Sequence, residues 1–228
     1  MGAELESLRV EDYVKTIYQV CSEAGSPTAA TGEVARRLGL TPGSVTSMLQ
    51  RLGEADLVIY QAHRGVRLTP AGEQLALRML RRHRLVELFL STTLGLPWDE
   101  IHAEAENIEH AVSDRLIDRI DEYLGHPERD PHGDPIPDAG GRLRAAHGEP
   151  LTECTNDTLF ALERVLDQSP DFLRYLTDGG LAIGDTGTVV ENHPSAGVIT
   201  LQAGDRRISL SREMAGKVLV RRLDSASP

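Results

Sequence analysis

Two short stretches set histidines and glutamates at helical spacing, and together they require two helices to lie side by side. Arg81 to Leu90 (RRHRLVELFL) places His83 and Glu87 four residues apart. After a break at GLPWD, Glu100 to Ile120 (EIHAEAENIEHAVSDRLIDRI) places His102, Glu106, Glu109 and His110 at intervals of four, three and one. At about 100° per residue these six side chains fall on stripes that can face each other. Nitrogen and oxygen donors converging between helices are what a first-row divalent metal needs. A Glu/His pair four apart also suits a solvated helix face. His102, Glu106, Glu109 and His110, four donors within nine residues and beside Ile101 and Ile108, are harder to leave in solvent.

A chain of 228 residues can hold two or three domains, and 40% hydrophobic content with 26% charged residues describes an ordinary globular protein. No apolar run is long enough to cross a bilayer, and the first residues carry acids and no apolar segment, so no membrane and a cytoplasmic location are expected. Cys21 and Cys154 stand far apart and read as free thiols of a reducing compartment. The net charge of −11 argues against nucleic acid, but its distribution reverses that. Between Glu33 and Arg84 nine arginines face four acids, a local charge of +5. Such a chain can present a basic face to DNA.

That segment opens with a helix-turn-helix pattern, Thr31 to Leu52. Ala35 and Leu38 face inward, Gly39 ends the first helix and Leu40 plugs the turn. Thr41 caps the second helix and Pro42 takes its first position. Val45, Leu49 and Leu52 bury it, leaving Gly43, Ser44, Ser47, Met48 and Gln50 toward a major groove. The runs 55–60 and 66–69 form a two-stranded wing with Arg64 near its tip. A helical hairpin inside an enzyme would leave wing and charge unexplained.

Val10 to Ser22 is an amphipathic helix with Asp12 on its outer flank. Further helices are expected from Pro70 to about Ser91, Trp98 to Ile108 and Ser113 to Leu124, with more apolar residues than one face needs, hence a homodimer. Arg81, Arg82 and Arg84 are expected to solvate a helix, and Trp98 to join a core. His63, His126, His132, His147 and His193 are expected at the surface or in linkers. After a Pro/Gly-rich connection (126–141), a short helix at 170–177 and β-type runs at Gly187, Gly197, Arg206 and Lys217 predict a small β-barrel. The fold class is mainly α with small β: a winged-helix domain (1–72), a helical metal-binding and dimerisation domain (73–141), a linker (142–149) and the barrel (150–228).

The strings EDYVKTIY (11–18), RRHRLVELFL (81–90), IHAEAENIEHAVSDRL (101–116) and DPHGDPIP (130–137), in that order, resemble the diphtheria-toxin-repressor family of metal-dependent transcriptional regulators. The resemblance implies a non-enzyme that controls metal-homeostasis genes. It would be a homodimer that grips a palindromic double-stranded operator when its metal sites are filled, with an SH3-like C-terminal barrel. It implies an ancillary site of His83, Glu87 and His102, completed from the barrel by Asp171 or, as the alternative, Gln168. The primary site would use Asp12, Glu106, Glu109 and His110. Iron-responsive members carry methionine and cysteine where Asp12 and Glu106 stand. Two carboxylates there point to Mn²⁺, with Fe²⁺ as the alternative. Lys15 replaces a glutamate ligand of the two-domain manganese members, which favours two separate sites. Arg36, Arg37 and Arg64 would meet phosphates, with Thr41, Pro42, Gly43, Ser44, Ser47 and Gln50 toward the bases. The competing readings are a helical metalloenzyme and a regulator that senses a small organic ligand; no such organic substrate is expected.

Overall fold

A computed structural model of the chain describes residues 2–223, with side chains from Arg9 onward. The expected barrel therefore extends past the described residues at 224–228. Contacts divide the chain into two units, 1–83 with 137–143 and 84–136 with 144–228.

The first unit begins with α1 (Gly2–Ala24), α2 (Thr31–Leu38) and α3 (Pro42–Glu54). Gly39 closes α2 in the left-handed conformation, its N–H turned back on Ala35 and Arg36. Thr41 Oγ1 accepts the Ser44 N–H at 3.3 Å, so the cap and Pro42 together start α3. Tyr13, Ile17 and Val20 of α1 meet Val34, Val45, Leu49 and Leu52 in one core. Met48 belongs to that core as well and does not face the groove. Residues 45, 48, 49 and 52 form one helical stripe, so burying three of them buries the fourth. Leu40 is exposed instead of plugging the turn.

The wing pairs β1 (Val58–Gln61) with β2 (Gly65–Leu68), antiparallel, with Val58 opposite Leu68 and Gln61 opposite Gly65. Ala29 and Val66 exchange backbone hydrogen bonds of 2.8 and 2.9 Å, which ties the wing to the α1–α2 connection. Gly65 is required there: its φ is 99°, and a Cβ would lie 2.4 Å from the Ala29 carbonyl oxygen.

The unit boundary falls inside α4 (Pro70–Leu94). In the second unit the end of α4, α5 (Ile101–Ile108) and α6 (Asp114–Tyr123) enclose Leu85, Val86, Leu90, Ile101, Ala105, Ile117 and Ile120. Leu94, Ile108, Leu116 and Tyr123 stay exposed on these helices. The C-terminal SH3-like domain is an antiparallel sheet of β3 (Glu149–Pro150), β4 (Leu159–Val165), β5 (Thr186–His193), β6 (Val198–Ala203), β7 (Arg206–Ser211) and β8 (Val218–Arg222). The strand order is β3-β8-β4-β5-β6-β7, with α7 (Pro170–Asp178) and the short α8 (Arg212–Gly216). Strand β4 was not anticipated from the sequence. A bulge between Leu162 and Arg164 breaks its alternation, and Phe160, Ala161 and Leu162 are all buried in succession. No helix among the described residues is long and apolar enough to cross a membrane.

Candidate metal centre

Glu87 is the hub of the second unit's donor groups. It lies on α4 one turn after His83, and both side chains are buried. Its Oε1 faces His102 Nδ1, from α5, at 3.1 Å. A carboxylate only accepts, so the ring proton between them sits on Nδ1. Its Oε2 faces His132 Nδ1 at 4.0 Å, too far for a hydrogen bond. His102 Nε2 in turn lies 4.0 Å from Glu106 Oε1, one helical turn on.

The DPHGDPIP loop supplies the rest. Asp130 Oδ1 accepts the backbone N–H groups of His132 (2.8 Å) and Asp134 (2.9 Å), folding the loop on itself. Gly133, at φ 85°, sits against β4, where a Cβ would lie 2.0 Å from the Glu163 carbonyl oxygen. The loop is thereby pressed inward, and Asp130 and His132 are buried; the expectation that His132 lies at the surface or in a linker is corrected. His132 Nε2 lies 2.8 Å from the Trp98 carbonyl oxygen. A carbonyl cannot donate, so Nε2 carries the proton and the Nδ1 of the neutral ring offers its lone pair.

Glu87, Asp130 and His132 therefore bring two carboxylates and one imidazole nitrogen together, their donor atoms within 4.8 Å of one another. Neither His132 Nδ1 nor Asp130 Oδ2 makes a hydrogen bond among the described residues. Burial, then the neighbouring Asp134 and Glu87 charges, hold the Asp130 carboxyl well above the usual range against the pull of Arg84. Burial lowers the His132 pKa, opposed by Glu87. A neutral histidine and carboxylates short of positive charge fit a divalent cation that accepts nitrogen and oxygen donors.

Arg81, Arg82 and Arg84 of α4 do not solvate a helix. Arg81 and Arg82 are buried. Arg84 donates to the Pro135 carbonyl at 2.6 Å and lies 3.5 Å from Asp130 and 3.7 Å from Asp134. Asp134 is also paired with Arg164 of β4 and accepts from Gln168 at 2.9 Å. Gln168 thus serves the loop. Asp171, expected to complete the ancillary site, is fully exposed in the first turn of α7, with Arg174 at 3.9 Å. The structure does not bring it to the donors; an acid there is stabilised by the helix N-terminus.

The other expected ligands are carried by α5, the residues that follow it, and α1. Glu109 ends α5 fully buried, with His110 Nε2 3.6 Å from its Oε1. Glu106 is half exposed one turn earlier. Asp12 lies half-buried on α1 of the first unit. Asp130 and His132 were missed because they sit in an irregular loop with no period to read. The available signal was an Asp-x-His pair beside a Gly turn.

On the first unit, Thr41, Pro42, Gly43, Ser44, Ser47 and Gln50 form the exposed face of α3, and Arg64 stands exposed in the wing turn. A Cβ at Gly43 would meet nothing within 4 Å, so that face is open to close approach. Arg36 and Arg37 are exposed but engaged: both hold Glu33, and Arg37 also holds Glu23. They hold Glu33 at a pKa of about 2.

Three family models match in series: the "Iron dependent repressor, N-terminal DNA binding domain" at 7–66, the "Iron dependent repressor, metal binding and dimerisation domain" at 69–138 and the FeoA domain at 149–222. The iron-dependent repressor IdeR of Mycobacterium leprae is 32% identical over 93% of this chain and 96% of its own length. The HTH-type transcriptional regulator MntR of Bacillus pumilus is 38% identical over 50% of this chain and 78% of its own. A solved manganese-dependent transcriptional repressor, in complex with manganese, superposes with a TM-score of 0.84 at 36% identity, covering 94% of this chain and all of its own. With these matches along its whole length, a winged helix at one end and an SH3-like domain at the other, the chain belongs to the diphtheria-toxin-repressor family of metal-dependent transcriptional repressors.

Proposed function

We propose that this chain is a manganese-responsive repressor that binds a palindromic operator as a cytoplasmic homodimer and controls metal-homeostasis genes. The observation that carries the reading is the donor chemistry. The clustered donors are imidazole and carboxylate, while Cys154 lies in the core of the C-terminal domain and Cys21 against the winged-helix core. Hard oxygen donors without thiolate suit Mn²⁺.

Glu87, Asp130 and His132 form one donor group of the proposed sites. Following the family pattern, His83 and His102 extend the Glu87 group, and Asp12 joins Glu106, Glu109 and His110. A bound divalent cation supplies positive charge to carboxylates that otherwise repel one another. The chain does the rest: Asp12 draws α1 toward α5, and α1 shares its core with the recognition helix α3. Two recognition helices of a dimer then stand about one helical repeat apart, roughly 34 Å, and less ordering cost is left for operator binding. The apolar residues exposed on α4–α6 are the proposed subunit interface. Thr41, Pro42, Gly43, Ser44, Ser47 and Gln50 are small groups that favour thymine-methyl contacts and DNA shape over bidentate readout. Arg64, and Arg36 and Arg37 once released from their glutamates, meet phosphates.

Iron is the second reading, favoured by the whole-length match to an iron-dependent repressor. Operator binding by gel shift, with metal-stripped protein and with added Mn²⁺ or anaerobic Fe²⁺, separates the two. The expected result is a shift with Mn²⁺ at concentrations where Fe²⁺ gives none. Equal binding by stripped protein would end the metal-dependent reading, and equal or better response to Fe²⁺ would end the manganese one.

A further inference from the structure

Trp98 holds the His132 ring from outside the donor group. It stacks on the Trp98 indole, with centroids 6.1 Å apart and planes at 19°, and its Nε2–H donates to the Trp98 carbonyl at 2.8 Å. Trp98 is the chain's one tryptophan. It packs against both hydrophobic clusters of the second unit, that of α4–α6 and that of the C-terminal sheet. Its Nε1–H donates to Thr177 Oγ1 of α7 at 2.9 Å. The Thr177 hydroxyl donates to the Leu173 carbonyl at 3.0 Å, so it is a lone pair that faces the indole. Beside it Arg174 Nε donates to Asp99 at 2.7 Å. One residue thus sets the tautomer and tilt of a buried ring and grips a helix of the neighbouring domain.

We propose that Trp98 is a positioning residue that couples a divalent cation at Glu87–Asp130–His132 to the seating of α7, so that filling this group tightens the SH3-like domain onto the helical one. The inference rests on the reading that these three residues take a cation. Its physical basis is linkage. A ligand ring must keep its proton on Nε2 and its lone pair aimed inward, and groups that hold ligand rings govern affinity for the ion. The Trp98 carbonyl and stack do this only while the indole is in place, and Thr177 holds the indole. An ion that favours the held ring therefore favours the Trp98–Thr177 bond, and that bond favours the ion by the same factor.

The full chain, stripped of metal and titrated with Mn²⁺, tests this. Free Mn²⁺ is counted by its electron spin resonance signal, Trp98 emission reports the ring's surroundings, and hydrogen exchange is read over 170–178. In the native chain Mn²⁺ quenches the emission and slows exchange in α7; His132→Ala loses one bound ion and both effects. Thr177→Val, which keeps shape but removes the hydroxyl, binds that ion about three- to tenfold more weakly, less than the 10–100-fold typical of groups touching the ligand itself. It no longer slows α7 on adding Mn²⁺, and Thr177→Ser restores both. Trp98→Phe, which keeps a stacked ring without the N–H, behaves as Thr177→Val and stands in for it if that variant folds poorly. Should His132→Ala bind as many ions with native affinity, the underlying cation reading fails. Should His132→Ala lose an ion while Thr177→Val and Trp98→Phe keep native affinity and native slowing of α7, the coupling through Trp98 is overturned and the cation reading stands.

Discussion

Each unit carries an arginine–carboxylate network, and the two are opposites in burial. On the surface of the first, Arg36 reaches Glu33 at 2.6 Å with 69% of its side chain exposed, and Arg37 spans Glu33 and Glu23. Inside the second, Arg84 is 12% exposed and faces Asp130, 1% exposed, while Asp134 gathers Arg84, Arg164 and Gln168. Water screens the first network, so its pairs contribute little and its guanidiniums can be exchanged to a phosphate. In the second, a carboxylate that loses its partner keeps its desolvation cost. The same ion pair displays charge in one place and braces a loop in the other.

Removing Arg84 should break the comparison hardest. Arg84→Ala leaves Asp130 and Asp134 buried with less compensation and should cost about 3 kcal/mol in urea unfolding, whereas Arg36→Ala should leave the midpoint unchanged within error. A loss as small as that from Arg36 would mean the interior network is as wet as the exterior one.

Cation binding should come next. Saturating Mn²⁺ at about 100 times its dissociation constant should stabilise the native chain by about 2.7 kcal/mol per site. Glu87→Gln should remove at least one such increment in calorimetry, and Glu33→Gln should remove none.

The increment should also grow with pH. His132 has a lowered folded pKa, so its contribution to the metal-free fold is present above the ordinary histidine value and is lost as pH falls through that value toward the lowered one. Asp130 has a raised folded pKa, so the metal-free fold loses stability as pH rises from the usual carboxylate range through the raised value. A cation needs the histidine neutral and the carboxylate ionised, so the Mn²⁺-induced shift in melting should be small near pH 5, at about full size above pH 7. A shift that is flat with pH would remove both groups from the ligand set.

The smallest effect concerns display. Glu33, held at about 2 by Arg36 and Arg37, adds stability above the ordinary glutamate pKa that is lost as pH falls toward about 2. Glu33→Gln should flatten that acid limb while moving the neutral melting midpoint by no more than about 2 °C. By freeing Arg36 and removing one of the two carboxylates that hold Arg37, it should strengthen operator binding about two- to fivefold at low salt and steepen its salt dependence. Unchanged affinity and salt slope would show that Arg36 and Arg37 do not reach phosphates.

The helix-turn-helix, the wing and the three helices from α4 to α6 were legible because their signals are local. Gly39 and Thr41 punctuate α2 and α3, Ser113 accepts the Leu116 N–H at the start of α6, and the apolar residues recur at helical intervals. The placement of His83, Glu87, His102, Glu106, Glu109 and His110 on or at the end of α4 and α5 follows from the same local signals. Met48 was assigned to the wrong face because small shifts of a helical stripe change which residue lies at its margin. Strand β4 was hidden by its bulge.

The sequence by itself determined which donors share a helix face and which segments are helix, strand or turn, since those follow from backbone periodicity and caps a few residues apart. Only the tertiary structure decided that Asp130 and His132 meet Glu87, that Asp171 does not, and that Trp98 stands between a donor histidine and α7. Those outcomes depend on how a loop is pressed against a strand and a helix far from it in the chain, by a close approach only Gly133 permits and by charges that no longer feel water.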